Sequence, residues 1–164
     1  MQLVIADTGP INYLILIGHI NLLPRLFQRV ILPTAVKEEL CDIGAPAAVR
    51  AWIGSPPDWL EIMETPGPGP ATLDEGEAAA IALAAFLHAD LVLIDERKVV
   101  VKVARSQGMR VTGTLGLLDL AAQSGLVDFT EAAERLRGTT FRSPQALIES
   151  MLRKHRPHTH CSSP

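Results

Sequence analysis

Leu3-Val4-Ile5-Ala6-Asp7 places four apolar residues in a row and ends them on an acid, and Leu91-Val92-Leu93-Ile94-Asp95 repeats the arrangement later in the chain. Runs that are apolar throughout, rather than alternating, suit strands buried on both faces, as in a parallel sheet. Residues 30–32 and 109–111 supply two further expected strands. Helices are expected between them. Thr8 can cap a helix that carries Pro10 in its first turn and is closed by Gly18. Pro33-Thr34 opens another, running through Val36, Glu39 and Leu40 to Gly44, and a short one fits residues 47–53.

Farther along, Thr65-Pro-Gly-Pro-Gly-Pro-Ala71 excludes regular structure, because its prolines remove donors and its glycines favour turns, so it reads as a surface linker. Thr72-x-x-Glu75 matches a capping box for an alanine-rich helix reaching about His88. The remaining expected helices cover residues 98–107, 115–124, 130–137 and 144–154. Strands alternating with helices argue for a parallel sheet covered on both faces, whose working crevice lies at the carboxyl ends of the strands. Asp7 and Asp95 both project from that edge. Glu39 and Glu77 can join them from helices that begin near it.

Composition narrows the function. The 164 residues are 48% hydrophobic and carry a formal net charge of -3, which excludes a basic nucleic-acid coat and an acidic tail. The charge is uneven: residues 1–82 hold 4 Lys+Arg against 10 Asp+Glu, and residues 83–164 hold 11 against 8. No apolar run approaches the roughly 20 residues of a bilayer span, and Asp7 interrupts the only apolar start, so a cytoplasmic protein without a membrane segment is expected. Cys41 and Cys161 lack metal-ligand spacing and read as free thiols. Residues 11–26 carry more large aliphatics than one helix face readily buries, which points to a homodimer or higher oligomer.

Four carboxylates in one pocket repel one another unless a cation is present. Oxygen ligands without a histidine and cysteine set favour Mg²⁺ or Mn²⁺ over zinc. Such an ion can activate water and neutralise phosphate charge, so phosphodiester hydrolysis is the natural use. Each acid also has a simpler reading: Asp7 and Asp95 as helix caps, Glu77 as a favourable charge at a helix start, and Glu39 as interchangeable with Glu38 by a register slip. Asp74 and Glu75 read as capping and solvated residues, and Asp119 as an exposed helical acid. Lys98, Lys102 and Arg105, with Arg97, can present a basic face to a phosphate backbone. Aromatics are only 4%, too few for a base-stacking platform.

LVIADTGPINYLILIG (3–18), LPTAVKEEL, LDEGEAAAIALA and ADLVLIDERKVVVKVA followed by GMRVTGTLGLL together resemble the PIN-domain proteins, the fold of the VapC toxin ribonucleases. The resemblance implies a three-layer α/β/α, Rossmann-like fold with a central parallel sheet over residues 1–152; beyond it, Arg153, Lys154, His155, Arg156, His158 and His160, without regular spacing, read as a basic, histidine-containing tail at 153–164. It implies metal-site and catalytic acids at Asp7, Glu39, Glu77 and Asp95, holding Mg²⁺ or Mn²⁺. Thr8 resembles the hydroxyl residue that follows the first acid, and Thr112 or Thr114 would line the same rim. Arg97 stands where many members carry another acid, and is expected to contact substrate with Lys98 and Lys102. The implied activity is endoribonucleolytic, with RNA as substrate and an antitoxin protein as partner. A non-catalytic module that binds RNA or a partner is the alternative. A receiver-type phosphoacceptor is disfavoured, because Asp7 stands alone and Val111 leads into Thr112-Gly113 rather than to a lysine.

Overall fold

The computed structural model of the chain describes residues 2–95 and 98–156. Its strands are β1 (Leu3–Ala6), β2 (Arg29–Pro33), β3 (Leu60–Met63), β4 (Leu91–Leu93) and β5 (Val111–Thr112). They make one sheet in the order β3-β2-β1-β4-β5, with every neighbouring pair parallel. The helices are α1 (Thr8–Leu16), α2 (Leu22–Leu26), α3 (Thr34–Cys41), α4 (Ala47–Gly54), α5 (Glu75–Leu87), α6 (Lys98–Ser106), α7 (Thr114–Gln123), α8 (Phe129–Arg137) and α9 (Gln145–Lys154). The result is the expected three-layer α/β/α arrangement.

Alternation along each strand divides the core between the two faces. Val4 and Ala6 of β1 join Leu32 and Leu93 in a core filled by Ile11 and Leu14 of α1, Val49 of α4, Leu117 and Leu118 of α7 and Phe129 of α8. Ile5, between them in sequence, faces the other way. It packs with Ile31, Val92 and Ile94 against Ala80, Ile81, Leu83 and Ala84 of α5 and Val100 and Ala104 of α6. Small alanine side chains let α5 lie close to this face.

Several expectations are corrected. The capping box of α5 is Asp74 with Glu77, not Thr72 with Glu75: Asp74 Oδ1 accepts from the Glu77 backbone N–H at 2.9 Å, and Glu77 Oε1 accepts from the Asp74 N–H at 3.3 Å. Burial of Leu73 immediately before the cap draws the helix start two residues along. At α1, Asp7 rather than Thr8 holds the N-cap position, and it makes no side-chain cap bond. The strand β3 was not expected. Its Glu61 points outward at the sheet edge and pairs with Arg29 of β2 at 2.8 Å, so its pattern is mixed rather than continuously apolar.

The aliphatics of residues 11–26 are spent inside the protein. Ile11, Leu14, Ile17, Ile20, Leu22 and Leu23 are buried, and Leu16 is 37% exposed, because the chain turns after α1 and returns as α2, which the sequence reading had not placed. They therefore do not supply the apolar surface from which self-association was expected. Asp119 is not an exposed helical acid either. Its carboxylate accepts from Lys154 Nζ at 3.0 Å, pairs with His155 Nε2 at 2.6 Å and accepts from Gln123 Nε2 at 2.9 Å. Partial burial pushes its pKa up, and these hydrogen bonds outweigh that and hold it below the usual carboxylate range. His155 also stacks on Phe129, with centroids 4.5 Å apart. The expected boundary at residue 152 thus falls inside α9, whose last turn is pinned to α7. Cys41 is an exposed free thiol, and Cys161 lies outside the described residues. No described helix is long and apolar enough to cross a membrane.

Candidate active site

The strand order reverses between β1 and β4, since β1 leads to β2 on one side while β4 enters on the other. That is the switch point at which parallel α/β sheets open a crevice. Both strand-ending aspartates stand there. The Asp7 backbone N–H donates to Leu93 O at 2.8 Å, which extends the β1–β4 pairing to the first acid.

Asp7 is 9% exposed, and its Oδ1 is buried with no hydrogen-bond partner. Burial pushes its pKa up to about 7; the adjacent Thr8 backbone N–H offsets part of this, and the charges of Glu39, Asp74 and Glu77 add to the rise. Asp74, expected only as a cap, therefore belongs to the electrostatic field of the site. Glu77 is 5% exposed, facing inward from the first turn of α5. Its backward bond to the Asp74 N–H fixes its direction.

Thr8 turns its hydroxyl away from its own helix and donates it to Glu39 Oε2 of α3. This resolves the register in favour of Glu39, half-buried, over the exposed Glu38. Asp95 accepts from Thr114 twice, the backbone N–H at 2.7 Å to Oδ1 and the hydroxyl at 3.0 Å to Oδ2. Thr114, fully buried at the start of α7, is thus a partner of Asp95, and it lines the cleft beside it. Three glycines make room for these acids. A Cβ on Gly9 would stand 2.7 Å from Asp95 Oδ2, one on Gly113 would stand 3.1 Å from Asp95 Oδ1, and one on Gly76 would run into the Glu39 carboxylate. The sequence signal for them was their position beside the acids and threonines, in Thr8-Gly9, Glu75-Gly76-Glu77 and Thr112-Gly113-Thr114.

The starts of α1, α5 and α7 therefore converge on one acidic crevice, and their N-terminal dipoles favour negative charge there. As placed, no three acidic, imidazole or thiol groups among the described residues close around a common point able to hold an ion. Glu39 is turned to Thr8, Glu77 to the cap of α5, and Asp95 to Thr114. The donor chemistry still fits a hard divalent cation, because the set is carboxylate oxygen and one buried oxygen lacks any partner. Thr112 and Lys102 line a cleft of about 960 Å³ that begins at Asp95. Lys98 is the first residue of α6, and its side chain lies outside what the structure describes, as does Arg97 altogether.

Acids gathered at the switch point of a parallel sheet, beside a cleft edged with cations, define a nuclease-like α/β module. A family model described as DUF3368: PIN domain matches residues 3–157, and the chain belongs to the PIN-domain family. PIN domains are generally nucleases. No curated protein and no solved structure matches the chain.

Proposed function

We propose that the chain is a Mg²⁺- or Mn²⁺-dependent endoribonuclease of the VapC-like kind, hydrolysing RNA phosphodiesters, with Asp7, Glu39, Glu77 and Asp95 as its metal-holding and catalytic acids. The observation that carries this reading is the buried, unpartnered Oδ1 of Asp7 amid three further carboxylates. A protein that keeps such a group has arranged a place for positive charge. A divalent cation bound there would offset phosphate charge and lower the pKa of an attacking water.

The chain's own residues do the rest. Thr8 holds Glu39, the α5 cap holds Glu77, and Thr114 holds Asp95, so these three acids would turn from their present partners to share an ion with Asp7. One carboxylate of the set takes the proton released as water attacks phosphorus, the bond from phosphorus to the leaving oxygen breaks, and that oxygen takes a proton from solvent to leave as a hydroxyl. Lys102, with Arg97 and Lys98, attracts the phosphate backbone. The reading extends to a cytoplasmic toxin restrained by an antitoxin protein and working as a homodimer or higher oligomer. Phe86, 62% exposed, and Ile43, 87% exposed, are large apolar side chains available for such contacts.

A second reading, a PIN-like module that binds RNA or a partner without cleaving it, draws support from three of the four acids being engaged by protein partners, with no three described groups closing around an ion. One experiment separates the two. Defined RNAs are incubated with the protein in Mg²⁺, Mn²⁺ or EDTA, alongside Asp7→Asn and Asp95→Asn. Metal-dependent cleavage lost in both variants is expected; no cleavage by the parent, with RNA binding unaltered in Asp95→Asn, overturns the enzyme in favour of the module.

A further inference from the structure

The N-cap of α5 is tied to the acidic crevice from two sides. Asp74 Oδ1 accepts from the Glu77 backbone N–H at 2.9 Å, which fixes the start of the helix and the position from which Glu77 reaches inward. Two residues after the cap, Gly76 lies against the Glu39 carboxylate, and Glu39 in turn takes the hydroxyl of Thr8, next to Asp7. Leu73, buried just before the cap, packs into the core under α5. Asp74 therefore cannot move away from the acids without unwinding the helix start. Glu77 is 5% exposed and Asp74 is exposed, so the two span the boundary between crevice and solvent.

Capping alone does not ask for a charge at position 74. A serine or asparagine oxygen accepts the same backbone N–H about as well. The helix dipole favours an acid there modestly, and against it stands the repulsion of one more carboxylate beside Asp7, Glu39 and Glu77. Among the charges that push the Asp7 carboxyl up, Asp74 follows Glu39 and precedes Glu77, so the cap is felt at Asp7 more strongly than the acid it positions. Asp7 itself is 9% exposed, with its buried Oδ1 lacking any hydrogen-bond partner. An acid that adds to the repulsion at such a group is unfavourable without a cation. With one beside Asp7 the sign reverses, because the same field attracts the ion.

We propose that Asp74 is a fifth acid of the site, set outside the ligand shell, whose charge tightens the hold of Asp7, Glu39, Glu77 and Asp95 on a divalent cation. This rests on the metal-holding reading of those four residues and adds a positioning residue that their pattern does not contain. Mg²⁺ and Mn²⁺ sites of this kind keep several waters, so an exposed carboxylate at the mouth acts on the ion through its field without ligating it. The cap and the charge are two separate roles of one side chain. The bond to the Glu77 N–H holds the helix start whether or not the Glu77 side chain turns to the ion.

Single substitutions separate the roles. Asp74→Asn and Asp74→Ser keep a capping oxygen and lose the charge, whereas Asp74→Ala loses both. Mn²⁺ binding is measured on the full chain by titration calorimetry, without RNA, at pH 8, above the Asp7 pKa of about 7. Melting temperatures in EDTA are read in parallel. Expected for Asp74→Asn and Asp74→Ser is a loss of Mn²⁺ affinity of about fivefold or more, the scale of one charge acting on a divalent ion through solvent. Their melting temperatures should equal or exceed the parent's, while Asp74→Ala should lose the same affinity and melt below Asp74→Ser. Raising the salt should narrow the affinity gap between parent and Asp74→Asn, because the field of an exposed charge is screened. Glu75→Gln, in the neighbouring exposed acid of the same helix turn, should bind Mn²⁺ as the parent does. Binding within twofold of the parent in both cap-retaining variants makes Asp74 a cap alone, which overturns the proposal and leaves the metal reading standing. Lost affinity with a lowered melting temperature in both assigns the effect to the helix start and overturns it equally. A parent that binds no Mn²⁺ at millimolar concentration overturns the metal reading and this inference together.

Discussion

The ends of β1 and β4 are written alike in the sequence, lie side by side in the sheet, and differ in how their acids are met. At β4, Asp95 receives the backbone N–H and the hydroxyl of Thr114, contributed by a helix that begins 19 residues later. At β1, the hydroxyl one residue beyond Asp7 is committed to Glu39, and Asp7 Oδ1 is left buried without a donor. The same strand-then-acid motif therefore yields one carboxylate secured by the protein and one that is not. The missing partner at Asp7 is electrostatic, and a divalent cation is the proposed supplier.

The largest effect expected from this contrast is on activity. Asp7→Asn and Asp95→Asn should each reduce metal-dependent cleavage by a hundredfold or more, since each removes charge from the metal set. If one of them cleaves RNA at near the parent rate, that strand end is not part of the site.

Stability should separate the two ends in the opposite direction. Raising the Asp7 pKa from 3.8 to about 7 corresponds to a penalty on the order of 4 kcal/mol in the ionised, metal-free protein. Below about pH 4 the carboxyl is protonated in both folded and unfolded chains and there is no penalty. Between about 4 and 7 the unfolded chain loses the proton while the folded protein keeps it, so stability falls as pH rises, and above 7 the penalty is complete. Asp7→Asn should abolish this fall and melt well above the parent at pH 8 in EDTA. Calorimetry giving equal melting temperatures at pH 8 would break the contrast.

Saturating Mn²⁺ should stabilise the parent by about 2.7 kcal/mol at a hundred times its Kd, and Asp7→Asn by much less. Equal stabilisation of both proteins places the ion away from Asp7. The smallest effect belongs to the secured end: Thr114→Val deprives Asp95 of one hydroxyl donor and should cost about 1–2 kcal/mol, leaving the pH dependence assigned to Asp7 unchanged. A denaturant titration at two pH values reads both quantities.

The contrast also marks what the sequence made legible. Asp7 and Asp95 were visible because a buried parallel strand is an uninterrupted apolar run, and an acid at its end has few places to go. Glu77 and Glu39 followed from their positions in helices starting at the same edge. The partners were not visible. Nothing near Asp95 in sequence names Thr114, and nothing near Thr8 names Glu39, because these contacts join elements that only the fold brings together. Local patterns misled where two were available: Thr72-x-x-Glu75 and Asp74-x-x-Glu77 are both capping boxes, and burial of Leu73 decided between them. The edge strand β3 was hidden by Glu61, an ion-pairing residue in a short segment. Asp119 read as solvated because its partners Lys154 and His155 are more than thirty residues away. Arg142 had no motif around it, and only the fold brings it to the cleft that Arg105 also lines.

The glycines at 9, 76 and 113 mean that acids alone do not define this site. At these positions the decisive feature is a hydrogen atom where every other residue type places a carbon. A chain bearing all four carboxylates but alanine at position 9 or 76 would still spell the motif, yet the Asp95 or Glu39 carboxylate would have to shift, while alanine at 113 would ask Asp95 to give by only a small amount. Intact acids opposite a filled glycine at 9 or 76 would thus mark a related chain whose carboxylates sit differently on the same fold.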